Sequence, residues 1–270
     1  MNAILNEMNL SCSTEELFTL VSLLGGDVLV GVPDPFPGWL TEEIAEAMAA
    51  AQTTLVEHGY LMALADGKVQ MDVLTAAQIG AMAAPQAVFL LTSTVPGEMP
   101  RQVVFYHRAP ITVLLERNGD QYHLKSLSSE NVILSEIKEF WKLDQRKAVD
   151  ADSISVPQAV LQSVQEIISA GRDKIQKRLE EAGVAKENAR ALAITLTSSE
   201  LNGALVSLRP QPNSWDVGGL GILSGENGQW LLRSFSRQQT DWVGLTPSSD
   251  EKIIKEIEAL LRHYLSFGEN

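Results

Sequence analysis

Four histidines, His58, His107, His123 and His263, are the side chains best suited to bind a metal or to act as a general base. None stands in an HxH, HxxxH or HExxH spacing, so a metal centre is not expected and no cofactor is implied. His58 precedes Gly59 at the end of a helical run, where a partial positive charge suits the carbonyl terminus. The single cysteine, Cys12, excludes an internal disulfide framework and a thiolate metal site, and it has no histidine near it in sequence. No Gly-x-Ser-x-Gly elbow supplies an activated serine. Gly218-Gly219-Leu220-Gly221 lacks the Lys-Ser/Thr of a phosphate loop and does not open a helix. Close backbone packing, by this chain or by a partner, explains these glycines better. Glu42-Glu43, Glu180-Glu181 and Asp250-Glu251 fall at helix ends or on polar faces, where solvation and the helix dipole account for them.

With no catalytic constellation, the chain reads as a binding protein and not an enzyme. Its best candidates for contact are loop aromatics: Phe36 and Trp39 in the proline-rich segment Pro35–Trp39, and Trp215 just after Pro210-Gln211-Pro212-Asn213. An alternative is a small-ligand binder or enzyme with a pocket between two halves that uses His107, His123 or Trp230.

Composition narrows the partners. The 270 residues are 45% hydrophobic and 20% charged, ordinary for a folded chain, with a formal net charge of −13. Nucleic-acid backbones and anionic membranes need clustered Lys and Arg, and here the basic residues are scattered. Met1–Glu7 lacks a basic stretch followed by an apolar core, and no apolar run approaches the ~18 residues of a membrane span, so a cytoplasmic location is expected.

The elements that must position these residues follow from periodicity. Helices are predicted over Thr14 to Leu24, Thr41 to His58 and Asp72 to Ala84, with a β-like run at Val28 to Val32 and a short strand at Lys68 to Met71. The stretch from Thr41 to Ala84 resembles a winged-helix fragment, but its last helix has no Lys or Arg to meet phosphate, which argues against DNA. Strands are predicted at Ala87–Val95, Gln102–His107, Ile111–Glu116 and Gln121–Leu127, then a helix at Glu130–Leu143. A charged connector covers 144–155. Pro157 opens a helical region divided by Gly171, a second Ala-rich helix spans Ala185 to Leu196, and strands follow at Leu201–Leu208, Asp216–Leu223, Gln229–Phe235 and Asp241–Leu245. The last helix carries Ile253, Ile254, Ile257, Leu260, Leu261 and Tyr264 on one broad apolar face.

This order occurs twice. Gln121–Leu127 matches Gln229–Phe235, each preceded by Asn-Gly, and aligning Gly119 with Gly228 gives an offset of 228 − 119 = 109. The duplication divides the chain into an N-terminal half-repeat with a winged-helix-like segment (1–143), the connector (144–155) and a C-terminal half-repeat (156–270). The expected class is α+β, with quasi-twofold duplicated helix and antiparallel-sheet halves sharing a central sheet.

Gly218-Gly219, Gly228-Gln229-Trp230, Asp241 to Pro247 and the terminal helix resemble the EspG family of ESX, or type VII, secretion-associated proteins. So do Leu17 to Leu24, Val32-Pro33, the Thr41 to Leu61 helix ending His58-Gly59-Tyr60-Leu61, and Val69 to Pro85. The resemblance spans most of the chain through loose motifs. It implies a quasi-twofold α/β body and a cytosolic chaperone-like adaptor that holds helical secretion substrates of paired-helix type. It carries over no individual binding residue.

Overall fold

The computed structural model describes residues 9–26 and 29–265. Its strands form one antiparallel ten-stranded sheet and a small hairpin. Strand β1 (Asn9–Cys12) and helix α1 (Thr14–Leu23) lead to α2 (Thr41–Glu57), the hairpin β2 (Leu61–Ala63) and β3 (Val69–Met71), and α3 (Val73–Ala83). A meander of β4 (Ala87–Thr94), β5 (Arg101–Arg108), β6 (Ile111–Asn118) and β7 (Gln121–Leu127) ends in α4 (Glu130–Trp141). The second half repeats this plan: β8 (Ile154–Pro157), α5 (Gln158–Glu166), α6 (Arg172–Glu181), α7 (Lys186–Thr197), then β9 (Leu201–Gln211), β10 (Ser214–Gly225), β11 (Gly228–Arg237), β12 (Thr240–Pro247) and α8 (Asp250–Leu265).

The sheet order is β1-β7-β6-β5-β4-β9-β10-β11-β12-β8. Reading outward from the central β4–β9 pair, each strand of one half has its counterpart in the other, so the quasi-twofold shared sheet is present. The register of the seven-residue match is a different matter. Gly119 lies in the turn between the third and fourth strands of its meander, and Gly228 opens the third strand, just after the turn from the second. The true counterpart of β7 is β12, and the helices that close the halves begin 250 − 130 = 120 residues apart, not 109. The local match reports hairpin chemistry. Both glycines hold positive φ (63° and 117°), Gly119 inside its two-residue turn and Gly228 where the strand leaves its turn, and alternating strands beside hairpin turns look alike wherever they occur.

One further expectation needs correction. Of the β-like run Val28–Val32, Val28 lies outside the described residues, and the remainder is a turn closed by Val32 N–H donating to the Leu29 carbonyl at 3.2 Å. Gly31 has φ +79°, which a strand does not accommodate, and side chains of β5 hold the segment instead: Gln102 donates to the Gly31 carbonyl at 3.0 Å and Tyr106 to that of Val30. Helix α1 is capped by Ser13 in a reciprocal capping box with Glu16.

Burial follows the patterning. β4 reads as a nearly continuous apolar run, Ala-Val-Phe-Leu-Leu, because one face lies under α4 and α8 and Val88 on the other lies under α1 and α3, whereas β7 alternates buried Tyr122 and Leu124 with exposed His123 and Lys125. On one face, α4 and α8 pack side by side over residues of both halves: Phe89, Phe105 and Leu114 with Leu205, Ile222 and Leu231 meet Ile133, Ile137, Trp141, Ile253, Ile257 and Leu261. On the other face the layers are separate. Leu17, Leu20, Ile79 and Met82 of α1 and α3 cover Val88, Val104, Tyr106 and Leu115. Val164, Ile175, Leu179 and Leu192 of α5 to α7 cover Leu223, Trp230, Val243 and Leu245.

Residues between Trp141 and the second half are held down. Gln229 donates to the Asp250 carboxylate at 2.7 Å, and the Arg146 backbone N–H donates to the same carboxylate at 2.8 Å, with both side chains buried. Replacing the acceptor leaves a buried amide without its charged partner, so Asp250→Ala is expected to cost about 2–3 kcal/mol in urea unfolding. At the axis, a Cβ on Gly203 stands 2.6 Å from Trp141 Nε1, so Gly203→Ala is expected to overpack the sheet and to cost about 1–3 kcal/mol by the same measurement.

Candidate protein-docking surface

The two separate helical layers leave the middle of one sheet face bare. Strand alternation and ladder register put Leu90 and Thr92 of β4, Ala204, Val206 and Leu208 of β9, and Val217, Gly219 and Gly221 of β10 on that face. All are half-buried or exposed, none is charged, and Val217 is 61% exposed. An uncharged strip of this kind, running between helices on a chain of net charge −13, is a distinctive surface.

Trp215, 48% exposed, lies at the end of the strip. It pairs with Pro210 near the tip of the β9–β10 hairpin, and alternation turns it to the same face as Val217. Phe36 and Trp39 stand elsewhere, in the loop between α1 and α2. Their rings pack together at 5.5 Å with Trp39 47% exposed, and the loop that carries them crosses the sheet beside Leu90, whose Cδ1 is 3.3 Å from a Cβ built on Gly31. Behind Phe36 is an apolar cleft of about 340 Å³, lined by Phe18, Leu29, Val32, Ile44 and Met48. The three aromatics therefore occupy two places, Trp215 at the end of the strip and Phe36 with Trp39 in the loop between α1 and α2. Sequence reasoning missed the strip itself. Its residues are ordinary strand apolars, and the glycine cluster was the signal closest to it.

The glycines divide by face. Gly218 turns toward the α4/α8 layer, where a Cβ is 2.6 Å from the Tyr264 hydroxyl, so the close approach there comes from this chain. A Cβ on Gly219 is 2.6 Å from the Leu205 carbonyl oxygen, so strand packing alone requires that glycine. Neither is spaced to cradle phosphate.

The groups with potential chemistry are scattered. His107 is half-buried on β5 with Nδ1 2.9 Å from Thr112 Oγ1, and burial lowers its pKa. His58 caps α2, His123 is exposed on β7, and His263 lies in the last turn of α8. Trp230, the indole of the inter-half pocket reading, is fully buried and donates to Thr195 Oγ1 at 3.0 Å. Cys12 is buried, and desolvation, reinforced by Glu16, holds its thiol far above the usual range, so it is not a poised nucleophile. Among the described residues no three of His, Cys, Asp and Glu converge as metal ligands, and no helix is long and apolar enough to cross a membrane. A cleft of about 650 Å³ floored by Val104, Leu115 and Tyr122 lies wholly within the first half, with none of His107, His123 and Trp230 in its wall.

A sequence search among curated proteins returns no match. The fold does have a solved counterpart: the Mycobacterium tuberculosis type VII secretion system chaperone EspG5, in complex with a PE25–PPE41 dimer, superposes with a TM-score of 0.68 at 14% identity, covering 97% of this chain and 99% of that one. At that identity the likeness establishes the architecture, a duplicated sheet with paired helical layers. The sequence carries the kinship independently, because the EspG family model matches residues 13–259 and so spans both halves and nearly every element described above. Fold and sequence agree, and the chain belongs to the EspG family.

Proposed function

We propose that this protein is a non-enzymatic, chaperone-like adaptor of the cytoplasm that holds helical substrates of a type VII secretion system on the bare strip. Trp215 at the end of the strip, and Phe36 and Trp39 in the loop between α1 and α2, are the proposed contact residues. The observation that carries the reading is the uncharged, partly exposed strip bounded by helical layers, with Val217 and Trp215 projecting from it. Membership of the EspG family supports the role, and a chaperone of the same fold is known in complex with the PE25–PPE41 dimer. An amphipathic helix laid on such a floor gains affinity from a few apolar and aromatic anchors.

A histidine-based active site receives no support from the geometry, since His107 is engaged with Thr112 and Trp230 with Thr195. The lowered pKa of His107 has a structural consequence. A base that is harder to protonate when folded makes the unfolded chain the better proton acceptor as pH falls below its ordinary value near 6.5, so its contribution is present above that value and lost as pH falls through the folded pKa. Urea unfolding of wild type and His107→Gln at pH 7 and pH 5 is expected to show wild type losing more stability on acidification. A stability difference that does not change with pH contradicts this.

Docking is tested by co-expressing the chain with paired-helix dimers of the PE25–PPE41 kind from its own gene neighbourhood, followed by co-purification and titration calorimetry. Trp215→Ala and Val217→Lys are each expected to weaken binding about tenfold or more while leaving the melting temperature within about 2 °C. A wild-type chain that retains none of these dimers overturns the proposal, and unchanged affinity in both variants overturns the placement of the strip.

A further inference from the structure

The sheet is split where the strip ends. β10 pairs with β11 only from Gly221↔Leu232 to Gly225↔Gly228, although both strands continue. Residues 214–220 remain paired with β9, and 233–237 with β12. The β4–β9 ladder also ends, at Val88↔Leu208. The outer part of the β9–β10 hairpin, 209–216, is therefore an arm with no ladder neighbour on either side, and it carries Trp215. The first half has no such split, since β5 and β6 stay paired from Val103↔Glu116 to Arg108↔Ile111.

Arg209 ties this arm to the body. Arg209, only 12% exposed, donates from Nη2 to the His263 carbonyl at 2.5 Å, lies 4.7 Å from the Tyr264 ring centroid, and approaches Asp216 across the hairpin at 3.9 Å. Gly218 leaves the space that the Tyr264 hydroxyl fills. The last turn of α8 thus grips the arm from the face opposite the strip. Arg233 of β11 binds Glu256, two turns earlier on the same helix, at 2.6 Å.

We infer that Arg209 is a positioning residue for the docking strip: by clamping the β9–β10 arm to the end of α8 it holds the fork between β10 and β11 open and fixes Trp215 and Val217 on the strip. A guanidinium does this better than an ammonium, because its planar fork bonds a carbonyl while its face stacks on a ring. That the arm matters for docking rests on the function proposed above; the clamp itself does not. Continuing the β10–β11 register brings Val217 opposite Ser236 on the same face, so closure of the fork is readable by cross-linking.

The test places Val217→Cys with Ser236→Cys in the full chain and follows disulfide formation under oxidised glutathione by mass spectrometry, with Cys12 buried and inert. With Arg209 intact the pair is expected to cross-link slowly. Arg209→Gln is expected to accelerate it about tenfold, Tyr264→Leu to do the same from the helix side, and Arg209→Lys to fall between. A purely structural role lowers the melting temperature without favouring this one cross-link. Fast cross-linking with Arg209 in place, or equal rates in all four proteins, overturns the inference. Loss of partner binding by Trp215→Ala without a change in cross-linking separates a failed clamp from a failed docking surface.

Discussion

The pairing of β4 with β9 is the constraint on which the rest of the structure depends. Seven residues of each strand, from Val88↔Leu208 to Thr94↔Asn202, join the halves into one sheet. Without that ladder each half would present an open edge to water. Trp141 consolidates the junction: its indole donates to the Thr92 carbonyl of β4 at 2.9 Å and rests over Gly203 of β9, so a helix of the first half packs on a strand of the second. The side-by-side packing of α4 and α8 follows, because both helices lie over the same joint and share one core.

A shared sheet covered continuously on one face and by two separate layers on the other has a bare middle, and that middle is where a partner can be held. The strip needs no unusual residue. It arises because α1 and α3 extend only over the first half's strands and α5 to α7 over the second's. Duplication therefore produced the bare middle as a by-product of geometry. The asymmetry between the halves refined it, since β9 and β10 are longer than β4 and β5 and project a tryptophan-bearing arm for which the first half has no equivalent.

Much of the fold was legible in the residues. Strand and helix periods, Asn-Gly turns and helix caps put the meander strands within a few residues of their observed ends, because each signal is local: a side chain's face, a backbone angle, a missing donor. The same locality produced the mistaken register. Asn118-Gly119 and Asn227-Gly228 both stand at hairpin turns, and the alternating strands after them obey the same pleat, so nothing nearby records which hairpin of the meander is which. Val28–Val32 failed for a related reason. Its composition favours a strand, but Gly31 and the grip of Gln102 and Tyr106 turn the chain over β5 instead.

The sequence by itself determined the class of the protein: an acidic chain with one cysteine, no catalytic spacing, two runs of four strands each closed by an amphipathic helix, and motifs similar to those of the EspG family. Only the tertiary structure decided that the halves join through β4 and β9, that Gly218 makes room for Tyr264, that Trp230 is core while Trp215 is surface, and that Val217 and Leu208 share a bare face. The reason is physical. Propensity and periodicity act over a few residues and are written into each segment, whereas exposure is a property of what other segments leave uncovered.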